Sequence, residues 1–206
     1  MSPDGDGRLL LIRHTESAWN SLDVFTGWVD VPLSEAGRQH ALEVGRSLKG
    51  RYRIDHAFCS GLTRAQETLE MVLEGAPHVP DIPISRDWHL NERYYGTWQG
   101  RCEASVAARY GEEAIKAVRK DFHARPPGGE SLADIAERVL PYFEEHVAPE
   151  VARGQVVLVA AHISPLRIIA RHLMGLSDSD TMRFSVANGA VLCFRREPDG
   201  AYLRED

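Results

Sequence analysis

The sequence predicts an α/β domain, a three-layer sandwich in which a mostly parallel central sheet carries helices on both faces. Two runs are continuously apolar, Leu9-Leu10-Leu11-Ile12 and Val156-Val157-Leu158-Val159-Ala160-Ala161, as parallel strands buried on both sides must be. Helical periodicities alternate with shorter strand-like stretches between them, which is the βαβ pattern. The 206 residues are 43% hydrophobic and 26% charged, a composition that supports one globular core and excludes a disordered or fibrous chain.

Residues 1–7 are polar and acidic, unlike a basic-then-apolar secretory leader, and are expected to be a disordered or frayed tail ahead of a single domain over 8–206. The first strand closes at Arg13-His14. Ser34 caps a helix running to about Lys49, with Gly50 past its end. Ile54 to Cys59 is a shorter, more polar strand. Leu62 to Glu74 is helical, with Ala65, Leu69 and Val72 on one face and Gly75 ending it. Arg125-Pro126-Pro127-Gly128-Gly129 reads as a rigid loop inside the domain. Ser131-Leu132-Ala133-Asp134 opens a helix with a capping box, and Ile135, Ala136, Val139, Leu140 and Phe143 continue it. After the late strand, Leu166, Ile169, Ala170 and Leu173 repeat the helical spacing up to Gly175. Ala190 to Phe194 is the final strand, leading through the turn Pro198-Asp199-Gly200.

Twenty-four Lys and Arg against 30 Asp and Glu give a net charge of −6, which argues against a nucleic-acid-coating function, because that needs a basic face to displace counterions. A local cationic pocket for one small anion remains compatible with an acidic chain. No apolar run approaches the roughly 20 residues of a membrane span. Cys59, Cys102 and Cys193 lie far apart, so neither a zinc site nor a disulfide framework is indicated, and a reduced, cytoplasmic setting is expected.

In a parallel sheet, ligands collect at the carboxyl ends of the strands. Both strong strands deliver a histidine there, His14 and His162, and the imidazoles face each other if the strands are neighbours. A lone histidine at a strand end is usually structural, so the neighbours decide. Arg13 adjoins the first histidine, and Arg64 stands in the first turn of a helix whose N-terminus adds partial positive charge. These are donors a phosphate requires. Taken alone, Arg64 also reads as a solvated surface residue. Glu92, between Asn91 and Arg93-Tyr94-Tyr95, is suited to general acid and base work if partly desolvated, and equally reads as an ordinary salt-bridged glutamate.

Leu11 to Asn20 (LIRHTESAWN) followed by Phe25 to Ser34 (FTGWVDVPLS) resembles the opening of the cofactor-dependent, 2,3-bisphosphoglycerate-dependent phosphoglycerate mutases of the histidine phosphatase superfamily. The resemblance continues through Leu62 to Thr68, Leu90 to Gly100, Tyr110 to Glu113, Gly129 to Leu132 and Ala160 to His162. It therefore implies a phosphoglycerate mutase-like fold. It also implies that His14 is the nucleophile and forms a phosphohistidine, that Arg13, Arg64 and a protonated His162 bind the phosphoryl oxygens, and that Glu92 moves the substrate proton. Ser17, Asn20, Thr26, Gly27, Arg93, Tyr95, Arg119, Lys120 and Ser164 would contact the rest of a small phosphorylated substrate. No metal is implied. The primer would be 2,3-bisphosphoglycerate, and neither nucleic acid nor membrane is an expected partner. Residues 101–125 would form a helical insert capping the pocket. That insert is followed by a short loop, compatible with a more open site or a different homo-oligomeric state.

Four departures alter the pattern. Thr15 replaces a glycine and offers a hydroxyl to the site. His162-Ile163-Ser164-Pro165 stands where the family carries His-Gly-Asn-Ser. Glu103 occupies the place of a substrate lysine, and Lys120 that of an arginine. The leading expectation is interconversion of 2-phosphoglycerate and 3-phosphoglycerate. The alternative is a metal-independent phosphomonoesterase, or a mutase for another small phosphate such as a sugar phosphate. A non-catalytic binding protein is the third class.

Overall fold

The computed structural model describes residues 6–76, 78 and 81–205, with only the backbone for Ser21. Strands β1 (Arg8–Arg13), β2 (His56–Ser60), β3 (Ile84–Asp87), β4 (Val156–Ala161), β5 (Val191–Arg196) and β6 (Tyr202–Arg204) form one sheet in the order β3-β2-β4-β1-β5-β6. The pairs β3-β2, β2-β4 and β4-β1 are parallel, while β1-β5 and β5-β6 are antiparallel. The helices are α1 (Glu35–Ser47), α2 (Thr63–Gly75), α3 (Glu103–Tyr110), α4 (Glu112–Lys120), α5 (Leu132–Tyr142), α6 (Ala148–Ala152), α7 (Ile163–Met174) and α8 (Asp178–Arg183).

The pleat sends alternate side chains of each strand to opposite faces, and the two cores follow that alternation. Leu10, Ile12, Ala57, Cys59, Leu158 and Ala160 pack under α1 and α2. Leu9, Leu11, Phe58, Val157, Val159 and Ala161 pack under α5, α6 and α7. The expected three layers and mostly parallel sheet are therefore present. Helices α1 and α2 approach closely because Gly45 has no side chain: a Cβ there would lie 2.2 Å from the Val72 carbonyl oxygen. A third, smaller cluster of Phe25, Trp98, Val106, Ile115 and Val118 holds α3 and α4 over the carboxyl end of the sheet.

Several boundaries shift. The helix expected to reach Lys49 ends at Ser47, with Leu48 as its C-cap. The strand expected over 54–59 runs from His56 to Ser60. β3 was not anticipated, because its Ile-Ser-Arg-Asp sequence is half exposed at the sheet edge and has no apolar run. β5 is not last: the Pro198-Asp199-Gly200 turn returns the chain as β6. The helix opened by Ser131 does have its capping box with Asp134, and it continues beyond Pro141 through a π-helical turn at Phe143–Val147. Of the expected tail, residues 1–5 lie outside the described residues. Gly7 is not frayed: it is buried, and its carbonyl accepts from the Arg196 N–H at 3.0 Å.

Candidate active site

His14 directly follows β1 and His162 directly follows β4. The two strands are parallel neighbours with Arg13 opposite Ala161, and the His14 N–H extends the ladder to the Ala161 carbonyl at 2.9 Å. This register sets the imidazole centroids 5.0 Å apart, with the rings inclined by 56°.

His14 Nδ1 lies 2.7 Å from the Thr15 carbonyl oxygen. A carbonyl can only accept, so Nδ1 carries the proton and Nε2 keeps its lone pair. Burial, followed by the charge of Arg64, pushes His14 down to about 3, so the ring is neutral and nucleophilic at ordinary pH. Asn188 steadies the same segment, donating from Nδ2 to the His14 carbonyl at 2.9 Å and the Thr15 carbonyl at 3.2 Å. Thr15 corrects an expectation. Its hydroxyl does not face the site but donates to the Gly37 carbonyl at 2.8 Å, while its N–H donates to Thr68 Oγ1 at 3.1 Å.

His162 is fully buried, its Nε2 lies 2.7 Å from Ser60 Oγ, and its Nδ1 has no partner. Burial and then the charge of Arg64 hold it well below the ordinary imidazole value, so the expected protonated histidine is neutral here. It is not among the residues lining the cavity that holds His14.

The cavity in front of His14 has a volume of about 220 Å³. Arg13 and Arg64 line it together with His14. Arg13 Nη1 donates to the Val186 carbonyl at 2.7 Å, leaving Nε buried without a partner. Arg64, only 2% exposed, donates from its two Nη atoms to the carbonyls of Val29 and Gly27, leaving Nε free of protein partners. Each guanidinium is thus pinned by backbone yet retains N–H groups for an anion, an arrangement suited to equatorial phosphoryl oxygens. Burial lowers both guanidinium pKa values.

Glu92 also lines the cavity. Its Oε1 accepts from the N–H groups of Arg93 at 2.8 Å and Ser164 at 3.3 Å, while Oε2 has no protein partner. Its carbonyl is held by Trp28 Nε1 at 2.5 Å and Arg138 Nη2 at 3.0 Å. One carboxylate oxygen is therefore fixed and the other is available for a proton. Ser17, Asn20, Thr26, Gly27, Tyr95 and Arg119 line the remainder, and burial raises the Tyr95 phenol.

Three expected substrate contacts lie elsewhere. The Arg93 guanidinium donates to the carbonyls of Glu130 at 2.6 Å, Val118 at 2.9 Å and Ala124 at 2.5 Å, tying the cap to the Glu92 loop instead of binding ligand. Lys120 is exposed at the end of α4 and does not line the cavity. Ser164 meets Glu92 through its backbone, and Ile163 lines the cavity in its place.

Sequence reasoning missed Asn188, Ser60 and Arg138, whose work is to hold other groups. Asn188-Gly189 immediately before a strand is a turn signal, so Asn188 was findable as a turn residue though not as a support for His14. His56 sits at the opposite end of β2, stacked on Phe58 and 3.7 Å from Glu150, and takes no part. A larger cavity of about 460 Å³ between α6, α7 and the β5-β6 turn contains a His172-Glu144 pair, but no nucleophile with an accompanying anion cradle. Among the described residues no group of three or more His, Cys, Asp or Glu side chains is arranged to hold a metal ion. No helix among them is long and apolar enough to cross a membrane.

The family model described as "Histidine phosphatase superfamily (branch 1)" matches residues 9–205. The chain is 43% identical over 196 residues to "2,3-bisphosphoglycerate-dependent phosphoglycerate mutase 2" of Gloeobacter violaceus, covering 94% of this chain and 88% of that one. Solved structures similar to it include a mycobacterial glucosyl-3-phosphoglycerate phosphatase complexed with VO3, at a TM-score of 0.83 and 27% identity, with 97% of each chain covered. The alpha-ribazole phosphatase of Shigella flexneri superposes with a TM-score of 0.81 at 27% identity, covering 96% of this chain and 94% of that one.

Proposed function

The chain belongs to the histidine phosphatase superfamily, in the family of the 2,3-bisphosphoglycerate-dependent phosphoglycerate mutases, and on that premise we propose that this enzyme hydrolyses a small phosphomonoester through a phosphohistidine. The observation that carries the reading is the His14 tautomer: Nδ1–H is committed to Thr15, which leaves Nε2 its lone pair, and His14 lines a cavity together with Arg13 and Arg64.

In the first step Nε2 attacks phosphorus in line, the P–N bond forms and the ester P–O bond breaks, while Glu92 delivers a proton to the leaving oxygen. Arg13 and Arg64 stabilise the charge on the equatorial oxygens. In the second step water forms the new P–O bond, Glu92 takes its proton, the P–N bond breaks and inorganic phosphate leaves. Water is favoured as acceptor because Arg93 and Lys120, expected to grip a second anionic group, do not line the cavity. The solved phosphatases of similar structure support the same outcome.

The second reading, 2-phosphoglycerate and 3-phosphoglycerate interconversion, is favoured by the 43% identity to the Gloeobacter mutase. Its primer, 2,3-bisphosphoglycerate, would place one phosphoryl group by Arg13 and Arg64 and its other anionic groups toward Glu103, which is paired with Arg119. Incubation with labelled phosphoesters, with and without 3-phosphoglycerate as acceptor, separates the readings. Acid-labile, alkali-stable label at His14 and steady phosphate release are expected. Isomerisation faster than release would select the mutase, and absence of label from every donor would reject phosphohistidine chemistry.

A further inference from the structure

A second cavity of about 140 Å³ adjoins the catalytic one: they share Asn20, Val24, Phe25, Thr26 and Arg119, and Trp19, Asp23 and Glu103 complete the second. The volumes, about 220 and 140 Å³, suit a small phosphorylated substrate that reaches from one cavity into the other. The single cation of this far end is already paired. Arg119 Nη1 donates to Glu103 Oε1 at 2.9 Å and Nη2 to Glu103 Oε2, a two-pronged pair whose guanidinium lies 5.8 Å from the Phe25 ring centre.

Glu103 is fixed where it stands. Its N–H donates to the Asp23 carbonyl at 3.2 Å, and Val24 bridges to Cys102 beside it. Asn20 Oδ1 accepts from both the N–H and the hydroxyl of Ser17, at 2.7 and 2.8 Å, so its NH2 group is left to donate. The far end thus offers amide and hydroxyl donors and the carboxylates of Asp23 and Glu103 beside the apolar Trp19, Val24 and Phe25, with no unpaired positive charge among its lining residues. A carboxylate or second phosphate there has no free cation to meet and faces like charge from Glu103 and Asp23. A hydroxyl can both donate to these carboxylates and accept from Asn20 or Thr26.

We propose that this far cavity is a subsite for the neutral, hydroxylated end of the substrate, and that Glu103 sets the specificity by neutralising Arg119 and repelling anionic ends. The proposal rests on the phosphomonoester reading and narrows it to phosphorylated polyols and sugars.

Glycerol 3-phosphate and 3-phosphoglycerate form a matched pair, differing only in a carbinol against a carboxylate at the far end. Binding is measured by calorimetry with His14→Ala, which needs no turnover, and kcat/KM is measured with His14 intact. Both are repeated with Glu103→Gln and Glu103→Lys, at a helix end where Glu103 is 31% exposed. The expected result is a preference for glycerol 3-phosphate of about tenfold or more, narrowed by Glu103→Gln and reversed by Glu103→Lys. Equal or tighter binding of 3-phosphoglycerate with Glu103 in place, or a ratio that neither variant moves, overturns the subsite. Preferential binding of glycerol 3-phosphate without turnover of any phosphoester upholds the subsite and rejects hydrolysis; turnover with a preference for 3-phosphoglycerate does the reverse.

Discussion

Asn188 reaches across 173 residues of chain to donate to the Thr15 carbonyl at 3.2 Å, the same oxygen that receives the His14 Nδ1–H. The tautomer of His14 therefore depends on a carbonyl that is itself held in place. Replacing Asn188 with alanine frees that carbonyl to turn and lets the ring reorient. Steady-state kinetics should show kcat falling by about 10–100-fold with KM little changed, since positioning is lost and the anion cradle is not. A change confined to KM would contradict this account.

Glu92 is held by two backbone N–H groups through Oε1 and leaves Oε2 for the proton. Glu92→Gln keeps the shape and removes the acid. The expected loss in kcat is about 10²–10⁴-fold for alkyl phosphates, whose leaving oxygen needs a proton. For p-nitrophenyl phosphate the loss should be far smaller, because the phenolate leaves unassisted. Equal losses on the two substrates would remove Glu92 from the proton path.

Acid should destabilise the fold through the buried histidines. His14 is pushed from its model-peptide value of 6.5 down to about 3, and His162 is also held low. Between pH 6.5 and about 3 the unfolded chain binds protons that the folded one refuses, so stability is greatest above 6.5 and is lost as the pH falls through this window. Urea midpoints at pH 7, 6, 5 and 4 should decline, and His14→Asn should flatten the slope. The same low value predicts that the acid limb of kcat/KM, which reports the free enzyme, is not set by His14 in the pH 5–8 range.

Arg138 is nearly buried and joins Glu130 at 2.8 Å to the carbonyls of His89 at 2.6 Å and Glu92 at 3.0 Å. Arg138→Met strips the His89 carbonyl of its Arg138 donor and the Glu92 carbonyl of one of its two donors, and it leaves both Glu130 carboxylate oxygens without this partner. Thermal or urea unfolding should show a loss of about 3 kcal/mol. Adding Glu130→Gln should recover part of it, and additive losses in the double variant would show that the pair is not coupled.

The strands and helices with continuous or periodic apolar patterns were legible because burial selects residue type directly: Leu9 to Ile12, Val156 to Ala161, and the helices opened by Ser34 and Ser131. β3 and β6 were not, since edge strands bury little and their residues report solvent. Arg13, His14, Arg64 and Glu92 were likewise legible as chemistry, each being a charged or nucleophilic residue near a strand or helix end. Arg93 and Lys120 carried the same kind of signal and proved to serve the scaffold or the solvent. Charge type in a sequence does not say which backbone carbonyls will claim a guanidinium.

The sequence by itself determined the layers and the placement of His14, His162, Arg13 and Arg64 near strand or helix ends, because these follow from patterns local to one strand or helix, while the role of His14 as nucleophile is what the family resemblance implies. Only the tertiary structure decided that His14 and His162 meet, since that depends on β1 and β4 being parallel neighbours with Arg13 opposite Ala161. It also decided the protonation state of both rings, the support from Asn188, and the pairing of Arg119 with Glu103 at the far end of the cavity. Those are relations between segments far apart in the chain, fixed by burial and by which acceptor lies nearest, and no local pattern encodes them.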